Sequence, residues 1–149
     1  MGINTLRLED LSAASEVCIA SFMASVAPTL TEEGIASFLS IASEQNIWKR
    51  MTEGNTVLAY VSKGKLLGIV ELRDEHHIAS LFVSPDHQGK GIGRALLEAI
   101  QQYVKGNRIT VSASLTSVGA YEAFGFVRVG IPDEKSGLKF QPMEKKLNS

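Results

Sequence analysis

Leu6 and Leu8 alternate with polar residues over positions 4–9 and predict a short first strand, with Asp10 placed to cap the helix that follows. Leu11, Ala14, Cys18 and Phe22 recur near helical spacing and mark that helix's buried stripe. Pro28 ends the segment, and Thr31 is placed to cap a second helix whose Ile35, Phe38, Leu39 and Ala42 stand at i, i+3, i+4 and i+7. A further helical piece around Ile47, Trp48 and Met51 stops at Gly54. From Thr56 the period falls to two: Val57-Leu58-Ala59-Tyr60-Val61 is β-rich, Ser62-Lys63-Gly64-Lys65 reads as a turn, and residues 66–72 return as the other arm of an antiparallel hairpin. Residues 78–83 are apolar on both sides, which predicts an interior strand covered on two faces. Ile92, Ala95, Leu96, Ala99, Ile100, Tyr103 and Val104 follow one face of a helix that Gly106 terminates. Residues 108–113 give a strand, 117–124 a short helix closed by Gly125, and 126–129 with 138–147 a closing pair of strands. Pro142 predicts that the last strand is an edge or carries a bulge. This order predicts an α/β (α+β) class in which a mixed sheet carries helices against its faces.

Length narrows the picture to one domain over residues 1–149, since a chain of this size hides roughly 68 to 70% of its unfolded surface. Hydrophobic residues at 44% and charged residues at 21% are ordinary for a folded globular chain. The formal charge of -1, without a block of like charges, leaves no electrostatic footprint for nucleic acid and points to small-molecule partners. Glu9 and Asp10 stand where a basic leader would begin, and no run approaches the roughly 18 apolar residues that span a bilayer. The expected setting is cytoplasmic, with no membrane partner. Cys18, the single cysteine, cannot form an internal disulfide, and its neighbours Val17, Ile19 and Ala20 predict a buried thiol.

Candidate chemistry concentrates in Gln88-Gly89-Lys90-Gly91-Ile92-Gly93, between the interior strand and the most strongly patterned helix. The first turn of a helix leaves four N–H groups unpaired, with the positive end of the dipole behind them, and glycines let that backbone approach an anion closely. Lys90 and Arg94 could add charge. A nucleotide-binding P-loop requires G-x-x-x-x-G-K-[ST], but Lys90 is followed by Gly91. A dinucleotide fingerprint, G-x-G-x-x-G, would require glycine where Arg94 or Leu96 stands.

The spacing that does fit is [QR]-x-x-G-x-[GA], filled by Gln88, Gly91 and Gly93, and here the sequence resembles the GCN5-related N-acetyltransferase (GNAT) family. A second block, Ala120-Tyr121-Glu122-Ala123-Phe124-Gly125-Phe126, is similar to the family's later motif and follows in the right order. The chain departs from the pattern at Ser114, where an asparagine is often found, and at Ser117, where an alanine is.

The resemblance implies a mixed, mostly antiparallel twisted sheet of about seven strands with helices on both faces. It also implies acetyl-CoA as co-substrate, with no metal, and transfer of an acetyl group to a primary amine of a small molecule or peptide by direct attack in a ternary complex. A non-catalytic acyl-CoA-binding or sensor module is the alternative. Gln88, Gly89, Lys90, Gly91, Ile92, Gly93 and Arg94 would cradle the diphosphate, and Leu81, Phe82 and Val83 would bond the pantetheine through their backbone. Ser114 would lie beside the pantetheine, the Leu81 N–H would polarise the thioester carbonyl, and Tyr121 would face the leaving sulfur. An amine with a pKa near 10.4 must lose a proton before it attacks, at a cost of about 4.6 kcal/mol at pH 7, so a base is expected. His77, four residues before Leu81, and Glu71, on the preceding strand, are the candidates. His76, His77 and His87 do not make a metal set, because adjacent strand residues point to opposite faces. Trp48, Phe22 and Met23 are either core or part of an acceptor wall, and the loop at 131–137 is expected to help set the acceptor. The closing strands offer an edge on which a second copy could pair, so a homodimer stays open.

Overall fold

In the computed structural model, which describes residues 2–147, Lys65–Arg73 (β3) is buried at every position between its two ends. Such a strand has no solvent face and must sit inside a sheet covered on both sides. The cover comes from two helical layers. Leu11–Ser25 (α1), Glu32–Ile41 (α2) and Glu44–Thr52 (α3) precede the central hairpin in the chain, whereas Ile92–Gln101 (α4) and Val118–Ala123 (α5) follow it.

The remaining strands are Gly2–Thr5 (β1), Thr56–Ser62 (β2), His77–Val83 (β4), Arg108–Ser114 (β5), Val127–Arg128 (β6), Asp133–Lys135 (β7) and Leu138–Lys146 (β8). They form one sheet in the order β1-β2-β3-β4-β5-β8-β6, with β7 also on β8. Every described pairing is antiparallel except β4 with β5. Because side chains alternate along a strand, the sheet feeds two separate cores. Val57, Ala59 and Ile69 pack with Ala14, Cys18 and Phe22 of α1, while Leu58, Val70 and Leu72 pack with Leu96 and Ile100 of α4. Each fully buried aliphatic side chain contributes about 1.5–3 kcal/mol. A bulge at Leu67, between the pairs Tyr60–Gly68 and Val61–Leu66, puts Gly68 beneath α4. A Cβ there would lie 3.0 Å from Leu96 Cδ1 and 3.1 Å from Ile92 Cγ2, so glycine sets how closely the helix approaches.

Several local expectations are corrected. The first strand ends at Thr5, and Leu8–Asp10 forms a 3-10 turn that leaves Leu8 exposed and Leu6 buried. Asp10 and Thr31 occupy the cap positions of α1 and α2 without making side-chain cap bonds; Asp10 instead accepts from Arg7 Nε at 3.3 Å. The cap that does form is on α3, where Ser43 accepts from the Asn46 amide at 3.2 Å. Leu39 and Tyr103 fall outside the buried stripes. Helix α4 stops at Gln101 rather than Val104: the amides of Tyr103 and Val104 donate three residues back, to Ile100 and Gln101, which tightens the last turn out of α-geometry.

Pro142 sits in an interior strand, between β5 and β6, rather than on an edge. Its carbonyl accepts from the Val129 amide at 2.9 Å, so its missing N–H points to the same side, where β6 has ended at Arg128 and no ladder bond is lost. The stretch at 131–137 is not a plain loop: β7 pairs with β8 around a two-residue turn of Ser136 and Gly137, both at positive φ.

Candidate functional site

Strand β4 is paired along its whole length with β3, but with β5 only at His77–Thr110 and Ile78–Val111. Beyond those two pairs the strands splay. The expectation that residues 78–83 are covered on both faces fails for this reason: Ile78 is buried, whereas Ala79 is exposed and Ser80 to Val83 are partly so. A bulge at Ala79, between the pairs Glu71–Ser80 and Leu72–Ile78, marks where the separation begins. The splay opens into a cleft of about 510 Å³. His77, Leu81, Phe82, Ser114, Ser117 and Tyr121 all border it, with Phe22 of α1, Phe38 of α2, Leu30 between those helices, and Lys135, Ser136, Leu138, Lys139 and Phe140 from the β7–β8 hairpin.

The glycine segment lies at the far end of β4, outside the cleft lining. Gly89 and Gly91 have φ of +78° and +83°, a left-handed conformation that other residues rarely adopt. Gly91 is the N-cap of α4 and offers no capping side chain, and no acidic residue stands in the first turn. The first helical hydrogen bond is donated by Ala95 to the Gly91 carbonyl, so the amides of Ile92, Gly93 and Arg94 have no helical partner. Gln88 Nε2 donates to the Val83 carbonyl at 3.2 Å and ties the loop back onto β4. The Ile92 side chain is buried beneath the helix, so only its backbone faces the loop. Arg94 lies over the Phe124 ring at 5.2 Å, which holds its guanidinium beside the first turn. Lys90 is exposed. The arrangement sets backbone donors without helical partners at one end of a strand whose other end borders the cleft.

Tyr121 is 7% exposed, and its ring is wedged edge-on against Phe124 and Phe126. Burial pushes its phenol well above the ordinary value, so the hydroxyl keeps its proton at neutral pH. Ser114 Oγ and Ser117 Oγ are 2.6 Å apart, so the two residues that depart from the family pattern bond each other on the cleft wall. His77 is half-buried, with Nδ1 2.8 Å from Thr110 Oγ1. Desolvation, then the neighbouring charges of Arg73 and His76, lower its pKa to about 4, which leaves the ring neutral at pH 7.

Glu71 is elsewhere. It is 1% exposed, does not border the cleft, and its carboxylate accepts from Arg50 Nε at 2.6 Å, Arg50 Nη2 at 3.1 Å and Asn55 Nδ2 at 2.7 Å. A carboxylate held by three donors is a structural clamp between α3 and β3. Cys18 is buried, and burial raises its thiol to about 12, which makes it inert.

Of the residues weighed for an acceptor wall, Phe22 borders the cleft, while Trp48 and Met23 are exposed away from it. Sequence reasoning read Phe38 only as part of a buried helix stripe and Phe82 only as a backbone contact for pantetheine; Phe38 stacks on Phe22 and Phe82 meets Phe38 edge-on, and the cations Arg73, Lys135 and Lys139 on the lining were not singled out. The Ser136-Gly137 dipeptide is a turn signal that could have revealed the hairpin carrying the two lysines. Among the described residues, no three His, Cys, Asp or Glu come together to hold a metal, and no helix is long and apolar enough to cross a membrane.

The model of the acetyltransferase (GNAT) domain matches residues 26–147. The uncharacterised N-acetyltransferase YafP of Escherichia coli is 29% identical over 86 residues, which make up 58% of this chain and 55% of that protein. The chain spans about half the length of the curated relatives it matches. A GCN5-related N-acetyltransferase from Rhodopseudomonas palustris superposes with a TM-score of 0.88 at 23% identity, covering 98% of this chain and 95% of that one. The PaiA N-acetyltransferase of Thermoplasma acidophilum, solved with coenzyme A, superposes with a TM-score of 0.78 at 22% identity over 98% and 99% of the two chains.

Proposed function

This chain belongs to the GNAT acetyltransferase family, and from that membership and its splayed strands we propose that it is an N-acetyltransferase acting on acetyl-CoA and a primary amine. The observation that carries the reading is the separation of β4 from β5 after Ile78–Val111, which joins a cradle of free amides at one end to a cleft bordered by Tyr121. The coenzyme A bound by the PaiA relative supports acetyl-CoA as the co-substrate.

The amides of Ile92, Gly93 and Arg94, with Gly89, Gly91, Lys90 and the Arg94 guanidinium around them, take the diphosphate. Each such contact at a helix start contributes about 0.3–1 kcal/mol, more when partly buried. Gln88 acts indirectly, by fixing the loop to Val83. The backbone of Leu81, Phe82 and Val83, no longer paired with β5, receives the pantetheine, and the Leu81 N–H meets the thioester oxygen as charge develops on it. Ser114 borders the same passage.

The amine nitrogen attacks the acyl carbon directly, a C–N bond forms, the C–S bond breaks, and the departing thiolate takes up one proton from solvent. Tyr121 keeps its proton at neutral pH and so donates a hydrogen bond to the leaving sulfur. His77 is too weak a base to deprotonate an ammonium of pKa near 10.4, a transfer uphill by about 8–9 kcal/mol. Solvent therefore takes the first proton, and His77, neutral at pH 7, takes the more acidic one from the amine that has already attacked. Glu71 has no part in this scheme, since its oxygens are occupied by Arg50 and Asn55.

Isothermal titration with acetyl-CoA tests the reading: one site per chain is expected, together with release of free CoA when an amine library is added. Absence of binding at millimolar acetyl-CoA removes the proposal. Binding without turnover of any amine reduces the chain to a coenzyme-binding module.

A further inference from the structure

The cleft is chemically lopsided. One wall is apolar: Phe22 and Phe38 stack with centroids 3.9 Å apart, Phe82 meets Phe38 edge-on at 5.2 Å, and Val26 and Leu30 extend the surface. Among the described residues, the charged ones on the lining are the cations Arg73, Lys135 and Lys139, and no carboxylate borders the cleft. Arg73 is partly offset by Asp74 at 3.7 Å. Lys135 and Lys139 make no ion pair with a described residue, although Glu134 stands directly across the ladder from Lys139.

One side of this cleft is also shut. Helix α2 is pressed onto the hairpin turn at Gly34 and Gly137, where a Cβ on Gly34 would overlap the Gly137 carbonyl, and Ser37 Oγ donates to the Ser136 carbonyl at 2.7 Å. The apolar wall and the hairpin that carries Lys135 are thereby held to each other, which closes the cleft along that side.

A field of one sign lined by low-dielectric walls concentrates the opposite charge and repels its own. A polyamine or aminosugar bearing several ammonium groups would meet Arg73 and an unpaired Lys135, with no carboxylate among the described residues of the lining. An amine that carries an anionic group finds Lys135, while an apolar body finds the phenylalanines. We infer that the acceptor is a small amine bearing a carboxylate and an apolar side group, of which an α-amino acid with an aromatic or branched side chain is the simplest example. The reaction balances as ammonium carboxylate plus acetyl-CoA giving the N-acetyl carboxylate, CoA thiol and one proton released to solvent. Lys135, which shares a face of the β7–β8 ladder with Leu138, on the side of the phenylalanine wall, binds the carboxylate and sets specificity; it takes no part in the bond changes. The inference rests on the acetyltransferase reading above.

The test compares CoA release for phenylalanine and leucine with their carboxamides and with spermidine, while acetyl-CoA binding is followed separately by titration. The free acids are expected to exceed the matched amides by about tenfold or more in kcat/KM, the scale of one charge-assisted contact. In a Lys135→Glu variant, that ratio should fall by about tenfold or invert, through KM rather than kcat, while acetyl-CoA still binds. Acetyl-CoA binding combined with preference for spermidine, or with equal use of acids and amides, overturns this inference alone. Loss of acetyl-CoA binding in the unaltered chain overturns the function proposed above, and this inference with it.

Discussion

Tyr121 is held by packing rather than by polar contacts, since its ring is fixed by Phe124 and Phe126 and its hydroxyl makes no hydrogen bond to a described residue. Removing that oxygen costs the core nothing and leaves the glycine loop before α4 untouched. Tyr121→Phe is therefore expected to lower turnover by about 10²-fold, the usual scale for a proton-handling group, with acetyl-CoA affinity within about twofold. Steady-state kinetics beside titration checks this, and unchanged turnover would strip the phenol of its role. His77 behaves differently, because its proton is taken up at about pH 4 in the fold and at 6.5 ordinarily. The unfolded chain binds that proton first as pH falls, so the residue's contribution to stability is complete above about pH 6.5 and lost on the way down toward pH 4. Thermal melts of His77→Gln should show a flatter acid limb across that window than the unaltered chain, and an identical limb would contradict the shift.

At the scale of elements, the contact between α2 and the β7–β8 turn has no room for a methyl group on either side. Gly137 adds a φ of +78°, and a Cβ on it would approach Gly34 Cα to 2.8 Å. Gly34→Ala must separate the helix from the hairpin, at about 1–3 kcal/mol as an overpacked contact, and should raise the acceptor KM more than that for acetyl-CoA; matched melts and kinetics decide it. Little of this junction was legible beforehand. The central hairpin, α4 and the glycine loop could be read because apolar period, turn residues and motif spacing agree there. The β7 strand, Asp133-Glu134-Lys135, is polar at each position and has no period to read. The splay was illegible in the local pattern, though the family resemblance implies pantetheine contacts at Leu81 to Val83: the run Ile78 to Val83 is as apolar as a fully covered strand, and only the register with β5 exposes half of it. Glu71 looked like a base by its position before β4, and nothing local foretold that Arg50 and Asn55, 21 and 16 residues away, would close on it.

Across the whole molecule, that same clamp joins the N-terminal helices to the centre of the sheet, and Arg50 also donates to the Ile41 carbonyl at 2.8 Å. Arg50→Leu leaves a buried carboxylate with one donor in place of three and is expected to destabilise the fold by about 3–5 kcal/mol, measurable by urea denaturation. A loss under 1 kcal/mol would mean that water replaces the guanidinium. The strand beside the clamp has a wider consequence. Alternate residues of β4 belong to different cores, Phe82 to the layer of α1–α3 and Leu81 and Val83 to that of α4 and α5. On the proposed function, recognition of the amine and capture of the coenzyme fall on opposite sides of a single ribbon. Substitutions among the early helices would then retune what is modified while the machinery that delivers the acyl group stays as it is.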